Sequence, residues 1–142
     1  MRLPSVVIDT NVLVAGLRSR HGASFRLLSE IGNGRFHMNL SVPLVLEYED
    51  VLLRPSTGVT LPSQAIADFL DYVCAAGAHH EIFFLWRPYL KDPQDDMVLE
   101  LAVKSGSERI VTFNGKDFAG SEKFGVRAVA PAEFLRSIGV LP

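Results

Sequence analysis

The run SVVID, residues 5–9, carries β-branched residues to a carboxylate without polar alternation, and RIVTF, residues 109–113, repeats the pattern. A strand with no face to give to water belongs in the middle of a sheet that is covered on both sides. Between such runs, apolar residues recur at helical spacing. Strands alternating with helices in this way predict an α/β fold: a central parallel sheet with right-handed crossovers and helices layered on both faces. With 142 residues, 48% of them apolar, one domain over residues 1–142 is expected.

After the first strand, NVLVAGL reads as a short turn. ASFRLLSEI then places Phe25, Leu28 and Ile31 at helical spacing and stops at Gly32-Asn33-Gly34. RFHMNL is a second strand. Ser41 stands where a cap is needed for a helix from Leu44 to Leu53, with Pro43 in its first turn and Arg54-Pro55 at its end. In TLPSQAIADFLDYVCAAG, Pro62 opens a helix, Ile66, Phe69, Leu70 and Val73 form its buried stripe, and Gly77 ends it. HEIFFL follows as a strand. Asp92-Pro93 opens the next helix, with Met97 or Val98, Leu101 and Ala102 inward and Gly106 as its stop. RIVTF and GVRAV are later strands, and PAEFLRSI closes the pattern as a helix before Gly139.

The longest apolar run, IFFLW, is too short to span a bilayer, and the one before Asp9 is too short for a signal-peptide core; a soluble, cytoplasmic protein with no membrane partner is expected. The lone Cys74 has no cysteine to pair with, in accord with a reducing compartment. A formal net charge of −2 is not the basic excess by which proteins usually grip phosphates. Divalent cations on the acids would cancel that charge locally and leave Arg18, Arg20, Lys116 and other basic residues to set the field, so a nucleic-acid partner is permitted. Gly32-Asn33-Gly34 lacks the Gly-x-Gly-x-x-Gly pattern of a dinucleotide site. His79-His80 has no further ligand at zinc spacing, and Phe83, Phe84 and Trp86 fit a buried strand better than a base-stacking platform.

The acids carry the chemistry. Asp9 ends the first strand, Asn114 and Asp117 follow RIVTF, Asp95 and Asp96 lie in the first turn of a helix, and Glu47 lies early in another. In open α/β sheets the functional crevice lies at the carboxyl ends of the strands, so one rim can receive them all. Carboxylates gathered within a few ångström repel one another unless a proton or a hard cation neutralises them, which points to a divalent metal and a nuclease site.

DTNVLVAGL, SVPLVLEYEDVLLRP, DPQDDMVLELAVKSG and IVTFNGKDF, in that order, resemble the PIN-domain ribonucleases, especially the VapC-like toxins of toxin–antitoxin pairs. The resemblance spans nearly the whole chain. It implies a three-layer α/β/α domain and a metal-dependent endoribonuclease in which Asp9, Glu47 and Asp96 or Asp95 bind Mg²⁺ or Mn²⁺. Asp96 is the favoured third ligand, because helical neighbours point about 100° apart and the pair cannot both face one ion. Asn114 fills the fourth position without a negative charge, and Asp117, one turn on, compensates. Thr10, Asn11, Ser41 and Thr112 stand where such proteins orient their acids by hydrogen bonds. The resemblance also implies an RNA substrate, a small antitoxin that covers the crevice and a homodimer. Two alternatives stand beside it. A haloacid-dehalogenase-like phosphatase also opens on a strand and an aspartate, but its second Asp is Asn11 here; a catalytically silent PIN fold would bind RNA or a partner without cutting.

Overall fold

A computed structural model describes residues 2–83 and 89–142. Its sheet has five strands, all parallel: β1 Ser5–Ile8, β2 His37–Leu40, β3 Ala78–His79, β4 Arg109–Val111 and β5 Arg127–Val129, in the order β3-β2-β1-β4-β5. Six α-helices flank it: α1 Thr10–Arg18, α2 Ala23–Ser29, α3 Val42–Leu52, α4 Ser63–Ala76, α5 Pro93–Ser105 and α6 Pro131–Ser137. Val6, Val7 and Ile8 are all fully buried, as are Ile110 and Val111. Since consecutive strand residues point to opposite faces, helices cover both sides of the centre, as the apolar runs require.

The strand order places the site. From β1 the chain builds outward through β2 and β3 on one side, then returns to build β4 and β5 on the other. The crossovers on either side of β1 and β4 diverge, opening a crevice at the carboxyl ends of these two strands. Asp9 leaves β1 there, donating its backbone N–H to Val111, and Thr112 leaves β4 there, donating its own to Val129.

Three expectations change. NVLVAGL is not a turn but most of α1: the Asp9 carboxylate caps it, and Val12, Leu13 and Gly16 form its buried face. Gly16 sets the approach of α1 to α2, because a Cβ there would lie 2.4 Å from Leu28 Cδ1. In α2 the inward residues are Leu27 and Leu28, followed by Ile31, while Phe25 is exposed. The strand expected in HEIFFL instead pairs at Ala78 and His79, opposite Asn39 and Leu40. β2 ends at Leu40, since Ser41 turns the chain into α3, and the His80 N–H donates to the Leu40 carbonyl at the end of this pairing. Phe84, Leu85 and Trp86 lie outside the described residues. Among the described residues no helix is long and apolar enough to cross a membrane.

Candidate active site

Asp9 is fixed from three sides. Its carboxylate accepts the backbone N–H of Thr10 at 2.9 Å, the hydroxyl of Thr112 at 2.8 Å and the Asn11 amide at 3.4 Å. The Thr112 oxygen in turn accepts the Asn114 backbone N–H at 3.0 Å, so its own hydrogen is committed to Asp9. Asn11 also reaches Thr112 Oγ1 at 3.4 Å, and its Oδ1 accepts the Phe113 N–H at 3.3 Å. The ends of β1 and β4 are thereby laced together.

α3 brings the second acid. The buried Thr10 hydroxyl donates to Glu47 Oε2, and the next residue, fully buried Tyr48, donates its hydroxyl to the Ile8 carbonyl at 2.5 Å. Successive side chains of one helix thus attach to the end of β1. α5 brings the third: Asp92 caps it, accepting the Gln94 N–H at 2.9 Å, and Asp95 sits in its first turn. Asp9, Glu47, Asp92, Asp95 and Asp117 line one cleft of about 630 Å³, together with Asn11, Asn114 and the exposed ring of Phe113.

These carboxylates burden one another. Burial raises the Asp9 carboxyl above its ordinary value, against the Thr112 and Thr10 hydrogen bonds that lower it; Asp117 and Asp92 raise it further. Glu47 is also raised by burial, opposed by its Thr10 hydrogen bond and reinforced by Asp9. Asp95 is pushed up to about 7, first by burial and then by Asp9, Asp92, Asp117 and Glu47. Among the described residues none of the five forms an ion pair.

As placed, no three acidic, histidine or cysteine side chains among the described residues are gathered closely enough to hold one ion. The donor chemistry nevertheless suits a hard divalent cation: every anionic group facing the cleft is a carboxylate, and the neighbouring side chains supply neutral oxygens. A cation here would offset both the burial and the carboxylate repulsion that raise Asp95 to about 7.

The sequence-derived candidates separate accordingly. Asp9, Glu47, Asp95, Asn114 and Asp117 meet at the cleft, and Thr10, Asn11 and Thr112 bond to its acids or their carrying turns. Asp96, favoured over Asp95, does not face the cleft. Its Oδ1 accepts the backbone N–H groups of Tyr89 at 3.2 Å and Leu90 at 2.8 Å, one helical step from its neighbour. Ser41 touches no acid either; its buried hydroxyl caps α3 through the Leu44 N–H at 3.3 Å and so acts on Glu47 only by starting the helix. Sequence reasoning missed Asp92 as a cleft residue, having read it as a cap, and missed Phe113. The signal for Phe113 was its place directly after Thr112, where the strand ends at the rim.

Residues 5–116 match the family model described as PIN domain. In fold the chain is similar to a chain of the VapBC2 complex from Rickettsia felis, solved bound to a DNA fragment from its promoter. The two are 12% identical, with a TM-score of 0.58, over 89% of this chain and 98% of the other. No curated protein matches the sequence.

Proposed function

The chain belongs to the PIN-domain family, and on that premise we propose that it is an endoribonuclease that hydrolyses RNA phosphodiester bonds with Mg²⁺ or Mn²⁺, acting as the toxin of a toxin–antitoxin pair. The observation that carries this reading is five carboxylates around one cleft at the switch point of the sheet, without an ion-pair partner among the described residues. Asp9, Glu47 and Asp95 would hold the ion, with Asn114 and Asp117 beside them. A divalent ion would supply charge neutralisation at the phosphate and a bound water that is easier to deprotonate than bulk water.

The chain's own residues do the positioning. Thr112 and the Thr10 N–H hold the Asp9 carboxylate in one orientation, and the Thr10 hydroxyl holds Glu47. Their hydrogen bonds oppose the protonation that burial favours. Asp95 must lose its proton for the site to load, so loading is favoured as pH rises through about 7.

The test is cleavage of end-labelled RNA with Mg²⁺, with Mn²⁺ and with chelator, alongside Asp9→Asn. Cleavage that needs the ion and is lost in the variant supports the reading; equal activity in chelator would sink it. RNA binding without cutting under all conditions would make the chain a silent PIN module. The same reading carries a small antitoxin that covers the cleft, a homodimer and a cytoplasmic setting. The exposed Val42 and Leu46 on α3 and Leu53 directly after it offer apolar surface for such a partner.

A further inference from the structure

A second cleft, of about 560 Å³, shares Asp92, Asp95 and Asp117 with the first. The two differ in chemistry. The first carries Phe113, with 53% of its surface exposed, beside Val14 and Val51, and its one basic side chain among the described residues, Arg18, donates to the Thr57 carbonyl at 3.4 Å. The second carries Lys91 and Lys116, and neither forms an ion pair among the described residues although three carboxylates line the same space. The acids therefore stand between the exposed Phe113 ring and a pair of ammonium groups without an ion pair among the described residues.

Both walls are held in place. Asp96 bonds the backbone of Tyr89 and Leu90 to α5, and so anchors the segment that carries Lys91. The Tyr89 ring packs edge-on against Phe124 at 5.2 Å. Gly120, at a φ of +92°, permits that approach: a Cβ there would lie 2.4 Å from the Tyr89 hydroxyl. On the other side, Asn11 pins the Phe113 backbone.

We propose that the substrate is a single RNA strand that crosses the acids and occupies both clefts, with an unpaired base stacked on Phe113 to one side and a flanking phosphate held by Lys91 and Lys116 to the other. This rests on the ribonuclease reading and deepens it. A free aromatic face takes a base only when that base is unstacked from a partner, which selects single strands over duplex. Ammonium groups recognise phosphate as point charges and carry no base preference. A site that needs both flanks acts within a strand rather than at its end.

The experiment measures the affinity of end-labelled single-stranded RNA by fluorescence anisotropy over a range of salt, with Ca²⁺ as the cation, and cleavage separately with Mn²⁺. Replacing both lysines, Lys91→Ala with Lys116→Ala, is expected to weaken binding and to reduce the slope of log K against log salt by about 0.7, the value for one single-strand phosphate contact. Phe113→Ala is expected to weaken binding about tenfold with the slope unchanged, to raise KM more than it lowers kcat, and to be rescued by Phe113→Tyr but not Phe113→Leu. All three positions are exposed, and thermal melts check that the variants fold. Wild-type affinity and slope in the lysine variant, equal binding by Phe113→Ala, or duplex RNA bound as tightly as single strands would overturn the inference, even with ribonuclease activity intact. A wild-type protein that neither binds nor cleaves RNA would overturn the ribonuclease reading with it.

Discussion

Thr112 donates its hydroxyl hydrogen to Asp9 Oδ2 at 2.8 Å across 103 positions of sequence, joining the ends of the two strands between which the sheet reverses its order. The same oxygen accepts the Asn114 N–H. Thr112→Val keeps the shape but removes these bonds and the longer one from the Asn11 amide. It is expected to cost about 1–2 kcal/mol in a chemical denaturation curve and 10- to 100-fold in metal affinity or activity, read by Mn²⁺ titration and cleavage. An unchanged Mn²⁺ affinity would show that Asp9 needs no such orientation.

Asp9→Asn keeps an oxygen to cap α1 while removing the most enclosed negative charge of the cleft. Cleavage should fall on the order of 100-fold or more, with the circular dichroism spectrum and melting temperature preserved. Loss of the folded signal would instead assign Asp9 a structural role.

The tandem aspartates should behave differently. Asp95→Asn is expected to abolish Mn²⁺ binding and leave the fold intact. Asp96→Ala releases the Tyr89 and Leu90 N–H groups, at a cost of about 1–3 kcal/mol, whereas Asp96→Asn keeps an acceptor oxygen and retains most of the stability. Mn²⁺ titrations of the three variants that ranked them in the reverse order would restore Asp96 as the ligand.

Stability without metal should fall as pH rises from about 4 to about 7. Unfolded, Asp95 ionises near its ordinary 3.8; folded, it keeps its proton to about 7. In that window the folded chain binds the extra proton, so each rise in pH favours unfolding. Asp9 and Glu47, also raised, add in the same direction above their ordinary values. Melts across pH should show a decline that Mg²⁺ or Mn²⁺ reverses and Asp95→Asn flattens; a metal-free protein most stable at pH 8 would contradict it.

Tyr48→Phe tests the link between α3 and β1. The ring stays buried, but the Ile8 carbonyl loses the hydroxyl that serves it, at about 1 kcal/mol. The melting temperature should drop while Mn²⁺ affinity changes little, because Thr10 still holds Glu47.

Much of the fold was legible because its signals are local. Val6, Val7 and Ile8, like Ile110 and Val111, are apolar and fully buried; Ser41 with Pro43, and Asp92 with Pro93, mark helix starts where α3 and α5 begin. α1 was not legible as a helix, since its cap, Asp9, also ends a strand and its small inward residue, Gly16, makes sense only with Leu28 against it. Likewise, the extent of β3 depends on where β2 ends.

The sequence by itself determined most of the elements and that several acids would reach strand and helix ends on one rim, because periodicity and capping act over a few residues. Only the tertiary structure set Asp95 in the cleft and Asp96 on the backbone of Tyr89 and Leu90, kept Ser41 away from the acids, and set Asp92 and Phe113 in the cleft. Those outcomes depend on the direction of a side chain relative to a neighbour far away in sequence. A rotation of about 100° between adjacent helical residues separates a carboxylate in the cleft from one spent on backbone N–H groups.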